Sequence, residues 1–230
     1  MSQLALPIGL QDHAVFESFL PTGNETVVAF LEDVVSSGKG PGGWIRGSNA
    51  SGRTHLLQAV CDRAGDDAQF LPLKEFAGAD PMIIDGLANR KFLCLDDVDA
   101  VAGIDAWELA LFSLYNALIE AGGVLICSAA SAPRECGFIL ADLASRFSRL
   151  PTFNLKSLDE SSRIEALQLR ARHRGLELPT ESAVYLLNRS TRDMASLYAL
   201  LDKLDAEAMI AQRRLTIPFV KEVLALNQVD

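Results

Sequence analysis

Apolar residues alternate between two spacings over the first two thirds of the chain. Glu25–Ser36 repeats them at helical spacing, and the Gly38–Gly43 stretch stops it. Gly43–Gly47 reads as a short strand, Thr54–Arg63 as the helix behind it and Gln69–Leu73 as a second strand. Met82–Leu87 predicts a short helix. Lys91–Leu95 reads as a strand, apolar from Phe92 to Leu95, closed by Asp96 and Asp97. Asp105–Glu120 predicts a long amphipathic helix, with Leu109, Phe112, Leu114 and Leu118 among its apolar positions, and Val124–Cys127 another buried strand. Strands this apolar, alternating with helices, predict a parallel sheet covered on both faces.

After Leu158 the strand spacing disappears. Asp159 is placed to cap a helix reaching Arg174, and Thr180 another reaching Arg189. A third runs to about Arg213, and Thr216 opens a last short one with Pro218 in its first turn. The expected organisation is therefore an extended arm over 1–12, where Pro7 and Gly9 deny a helix, an α/β core over 13–157, and a small all-helical lid over 158–230.

Composition narrows the class. Forty-nine per cent hydrophobic and 22% charged residues fit a well-filled globular core. No apolar run approaches the roughly 18 residues that a membrane span needs, and the first residues lack the marks of a signal peptide, so the expected location is the cytoplasm. Cys61, Cys94, Cys127 and Cys136 show no paired spacing, and Cys94 and Cys127 fall inside strands, which predicts buried free thiols. A net charge of −9 opposes autonomous grip on nucleic acid.

The candidate chemistry starts at Gly47-Ser48-Asn49-Ala50-Ser51-Gly52-Arg53-Thr54, which fits G-x-x-x-x-G-[KR]-T. Glycines at both ends let the backbone curl until its N–H groups converge, and the helix that follows adds its positive end. Thr54 is placed to offer a hydroxyl to Mg²⁺. Arg53 stands where this loop usually carries lysine; it keeps the charge but replaces a compact ammonium with a planar fork, which predicts binding without brisk hydrolysis. Asp96 and Asp97 lie at the carboxyl end of a buried strand, where ligands sit in open α/β sheets. Asp96 is expected to hold Mg²⁺ and Asp97 to orient an attacking water.

Two further arginines fit phosphate chemistry. Arg146, in Asp142-Leu143-Ala144-Ser145-Arg146-Phe147, is placed to reach a neighbouring subunit's γ-phosphate, with Arg149 as its competitor. Arg192 opens the third lid helix and is placed to close over phosphates. On the arm, Gln3, Leu4, Leu6, Pro7 and Ile8 combine a hydrogen-bonding head with alternating apolar residues, which suits either docking in a hydrophobic pocket or packing on the chain's own body.

With these residues in place the chain resembles the DnaA-related AAA+ proteins over nearly its whole length. The resemblance is carried by Gln3–Ile8, similar to the clamp-binding motif Q-L-x-L-P-L, and by the arginine-bearing loop Gly52-Arg53-Thr54-His55-Leu56-Leu57. Asp142–Arg146, Leu167–Arg172 and Leu215–Glu222 carry it further. It implies an AAA+ P-loop core with a helical lid and a regulator of chromosome replication. On that resemblance the arm docks on the DNA polymerase sliding clamp, and the body meets ATP-bound initiator DnaA and promotes its hydrolysis. Gly47 through His55 hold ADP, favoured over ATP, with Mg²⁺ at Thr54 and Asp96. Arg146 acts as the finger in trans and Arg192 as the second sensor. The segment around Val15–Phe19 holds the position of an adenine contact. No helix-turn-helix segment follows the lid in this sequence, so DNA is expected to be reached only through the clamp. AAA+ sites commonly lie between subunits, which makes self-association a further expectation.

Two departures bear on activity. The family's polar first sensor is replaced by Ser128-Ala129-Ala130, in which only Ser128 is polar, and Ser131–Gly137 is differently spaced. Two other readings remain: an autonomous AAA+ ATPase such as a helicase loader or transposition helper, which would hydrolyse ATP unaided, and an adaptor that keeps only the fold and binds no nucleotide.

Overall fold

A computed structural model of the protein describes residues 14–189 and 194–226. The described residues divide into two compact units, one of 14–16 and 24–156, the other of 17–23, 157–189 and 194–226.

The first unit is a five-stranded sheet in the order β2-β3-β4-β1-β5, formed by β1 (Gly43–Arg46), β2 (Ala68–Pro72), β3 (Phe92–Asp96), β4 (Val124–Ala129) and β5 (Thr152–Asn154). Every pairing is parallel, so all carboxyl ends share one edge. α1 (Glu25–Ser37) precedes β1, and α2 (Arg53–Ala64), the one-turn α3 (Leu73–Phe76), α4 (Asp105–Glu120) and α5 (Ala141–Phe147) lie between successive strands. β3 and β4 are buried at every position, as expected of strands covered on both faces. Trp44, Leu93, Leu95, Trp107, Leu111 and Phe147 sit in one core cluster. Cys94 and Cys127 are free, fully buried thiols, and burial pushes both up from the ordinary cysteine range.

Three elements differ from expectation. The stretch expected as a helix over Met82–Leu87 is two short 3-10 turns, Pro81–Ile84 and Leu87–Asn89. Asp80 caps the first by accepting from the Met82 N–H, and Gly86 breaks the run before the second. β5 went unrecognised because its three residues are mostly exposed and carry no apolar run. On α4 the apolar positions Leu114 and Leu118 are buried as expected, but Leu109 is 58% exposed and Glu108, beside it, is 1% exposed.

The second unit is helical beyond Ser157: α6 (Glu160–His173), α7 (Thr180–Arg189), α8 (Met194–Ala211) and α9 (Ile217–Leu226). Asp159 caps α6, accepting from the Ser162 N–H at 2.8 Å. That bond and the neighbouring serines hold its carboxyl below the usual range. Leu167, Leu186, Leu197, Leu201, Phe219 and Val220 form the core of this unit. Arg174 donates to Asp202 at 2.5 Å, tying the end of α6 to α8.

Candidate functional site

The shared edge of the sheet gathers four stretches. β1 delivers Gly47, β3 delivers Asp96 and Asp97, β4 delivers Ser128, and α2 starts at Arg53. Register explains the meeting: Leu95 is opposite Cys127, so Asp96 comes beside Ser128, and Arg46 pairs with Ala129.

From Gly47 to Gly52 the chain curls as the glycines demand. A Cβ on Gly47 would lie 2.6 Å from the Ser51 hydroxyl and 3.1 Å from Leu155 Cβ. Gly52, the N-cap of α2, sits at φ 99° and gives no side-chain cap, which leaves the first amides of α2 without that satisfaction. Ala50 holds φ 58°, a conformation uncommon for a residue with a Cβ. The Ser51 hydroxyl is buried without a hydrogen-bond partner. Uncapped amides and an orphaned hydroxyl around one curl are what a phosphate oxygen satisfies.

Arg53 is held at both ends of its fork. One guanidinium nitrogen donates to the Gly47 carbonyl, the other to Asp97 Oδ1 at 2.7 Å. The side chains of this pair are 11% and 26% exposed. Asp97 reaches back because its backbone is left-handed, φ 50°, a conformation aspartate tolerates better than most residues. The planar fork expected to serve phosphate thus occupies the carboxylate expected to orient water.

Asp96 is 3% exposed. Its Oδ2 accepts from Thr54 Oγ1 at 2.7 Å, and its Oδ1 accepts from Ser128 Oγ. Burial raises its carboxyl above the usual range, against the two hydroxyl bonds that lower it. A buried carboxylate touching a threonine hydroxyl fits Mg²⁺, which takes one or two protein oxygens and completes its shell with water and phosphate. Among the described residues no cluster of three or more His, Cys, Asp or Glu forms a metal site.

Ser128 does more than its sequence position suggested. Besides donating to Asp96 it accepts from the Asp97 N–H at 3.0 Å, so one hydroxyl fixes both aspartates. The neighbouring Ala130 N–H donates to Asp99 at 3.1 Å. No spacing rule reveals such a contact; the register of β3 against β4 creates it.

The remaining candidates fall elsewhere. His55 donates through Nε2 to the Val15 carbonyl at 2.9 Å, tying the segment before α1 to the first turn of α2. Asn49 accepts from the Ala50 N–H at 3.1 Å, and the Ser51 N–H donates to the Ser48 carbonyl at 3.2 Å. Arg146, in the last turn of α5, lies over the Phe112 ring at 5.9 Å from its centre, whereas Arg149 is exposed in the turn that follows. Arg192 and the arm residues Gln3, Leu4, Leu6, Pro7 and Ile8 lie outside the described residues.

Residues 159–224 match the family described as the Hda lid domain. Domain III of the replication initiation protein DnaA from Thermotoga maritima superposes with a TM-score of 0.77 at 20% identity, covering 94% of this chain and 98% of that one. The chain has the AAA+ fold of DnaA and an Hda-like lid. AMPPCP-bound DnaA from Aquifex aeolicus matches with a TM-score of 0.68 and 22% identity, over 84% of this chain and 65% of that one. The branch-migration motor RuvB from Thermotoga maritima matches at 0.63 and 16% identity, over 92% and 70%. The parallel sheet with helices on both faces and the helical region beyond residue 157 thus share the fold of these DnaA and RuvB structures. Among the described residues no helix is long and apolar enough to cross a membrane.

Proposed function

We propose that this chain regulates the initiation of DNA replication, holding an adenine nucleotide at Gly47–Thr54 and acting on a second ATPase, the initiator DnaA, rather than turning over its own nucleotide. The Arg53–Asp97 pair carries the reading. In a self-sufficient P-loop ATPase a cation grips the β- and γ-phosphates while a carboxylate stays available to water. Here the only cation of the loop neutralises that carboxylate at 2.7 Å. The Hda-like lid and the DnaA-like core favour the same direction.

In this reading the uncapped first amides of α2 and the Ser51 hydroxyl face a diphosphate. Thr54 and Asp96 ligate Mg²⁺, which when bound neutralises phosphate charge. Ser128 holds Asp96 and Asp97 in register, and Arg53 keeps Asp97 from acting as a base. ADP satisfies such a site without requiring the missing γ-phosphate grip. Gln3, Leu4, Leu6, Pro7 and Ile8 dock on the sliding clamp, Arg192 approaches the phosphates from the lid, and Arg146 completes the partner's site. DNA is met through the clamp.

The docking arm is tested by pull-down on the DNA-loaded clamp. Gln3→Ala with Leu4→Ala removes one hydrogen-bonding head and one buried leucine, the latter alone being worth about 1.5–3 kcal/mol. Retention on the clamp is expected to be lost while ADP binding is unchanged; full retention assigns the arm to internal packing. An autonomous ATPase reading requires brisk turnover by the chain alone, which the Arg53–Asp97 pair opposes.

A further inference from the structure

Glu108 is buried, yet no step above uses it. Its Oε1 accepts from the Gly103 N–H at 2.7 Å and the Ile139 N–H at 3.0 Å, and its Oε2 from the Leu140 N–H at 2.6 Å. Ile139 and Leu140 lead directly into α5, and Leu140, the N-cap, makes no side-chain cap of its own. Helices ordinarily take this satisfaction from a Ser, Thr, Asp or Asn at the cap. Here a carboxylate from another helix instead holds the N–H groups of the two residues just ahead of α5, fixing where the helix begins, at the cost of taking a charge out of water. One turn further along α4, Phe112 lies beneath the Arg146 guanidinium. Phe147, fully buried, packs against Trp44 and Tyr115 at 5.3 and 6.2 Å between ring centres, which fixes the rotation of α5 about its axis.

A single face of α4 therefore grips both ends of α5: Glu108 at the entry and Phe112 at the exit. We propose that Glu108 and Phe112 are positioning residues for Arg146, setting where its guanidinium stands for a partner's phosphate. The inference rests on the reading of Arg146 as an arginine acting in trans. It explains why a helix of seven residues, too short to be stable alone, holds a residue whose reach must be accurate. Phosphoryl transfer depends on placement to within about 1 Å, a misplacement of that size costing on the order of 100-fold.

The test compares wild-type protein, Glu108→Gln, Phe112→Leu, Phe112→Tyr and Arg146→Ala for stimulation of ATP hydrolysis by ATP-loaded DnaA with clamp-loaded DNA. ADP affinity and thermal melting are measured on each. Gln keeps the shape of Glu108 but sets an amide donor against backbone donors. Phe112→Leu keeps apolar volume and removes the ring, whereas Phe112→Tyr keeps the ring. Glu108→Gln and Phe112→Leu are expected to lower the maximal stimulated rate by about 10-fold or more. The concentration giving half-maximal stimulation and the ADP affinity should stay unchanged, and Phe112→Tyr should retain the wild-type rate. Should Glu108→Gln fail to fold, Phe112→Leu against Phe112→Tyr decides. Wild-type rates in Phe112→Leu, or equal losses in the Leu and Tyr variants, overturn the positioning role. A wild-type rate in Arg146→Ala instead removes the trans arginine itself, and the positioning role with it.

Discussion

Arg146→Ala is expected to abolish stimulation of hydrolysis by the initiator while leaving nucleotide and clamp binding intact. An arginine presented to a transferring phosphoryl group from a neighbouring molecule is worth about 10³–10⁵ in rate, so the residual rate should fall to that of the initiator alone. The two candidates for this role sit in different surroundings. Arg146 is half-buried over Phe112 on a helix pinned to α4, whereas Arg149 is exposed in the following turn. Arg149→Ala is accordingly expected to change stimulation little. Binding should survive in Arg146→Ala because the residue belongs to α5, while the phosphate curl is built from β1 and α2. A wild-type rate in Arg146→Ala, or a collapse only in Arg149→Ala, would reverse the assignment.

Arg53→Ala is expected to weaken ADP binding by about 10- to 150-fold, the equivalent of one charged hydrogen bond of about 1.5–3 kcal/mol. In the structure described, the Arg53 guanidinium holds the Gly47 carbonyl and Asp97. Binding a diphosphate requires it to share or exchange these partners, and the same fork holds the loop in its curled form. Arg53→Lys separates the two roles. A single ammonium cannot span Gly47 and Asp97 as a planar fork does, so Asp97 becomes available to water. The lysine variant is expected to keep ADP binding and to gain ATP turnover over the wild type. Equilibrium titration with ADP and a partner-free ATPase assay measure both. Unchanged affinity in the alanine variant would show that Arg53 serves only the loop's internal structure.

Much of the fold is legible in the sequence. The apolar run before Asp96 marked a buried strand, and glycines at 47 and 52 marked the curl between β1 and α2, because both follow from strong local rules. Helical spacing beyond Leu158 gave the lid. The missed parts depend on contacts distant in sequence. Ser128 looked like the lone polar remnant of a sensor, but 32 residues separate it from Asp96, and only the register of β3 and β4 brings them together. Glu108 sits among apolar residues of α4, and counting apolar positions placed Leu109 inward; the loop before α5 supplies the backbone donors that draw the carboxylate in. The pairing of Arg53 with Asp97 depends on the left-handed turn at Asp97, which composition does not announce. β5, short and half-exposed, is held by its neighbour β1 rather than by its own pattern.

The nucleotide site itself is tested most directly by calorimetric titration of the purified chain with ADP in the presence and absence of Mg²⁺. One saturable site is expected, tighter with Mg²⁺, with the magnesium enhancement lost in Thr54→Val because the hydroxyl beside Asp96 is gone. A flat titration with and without the metal would contradict the phosphate curl, and everything assigned to the residues around it.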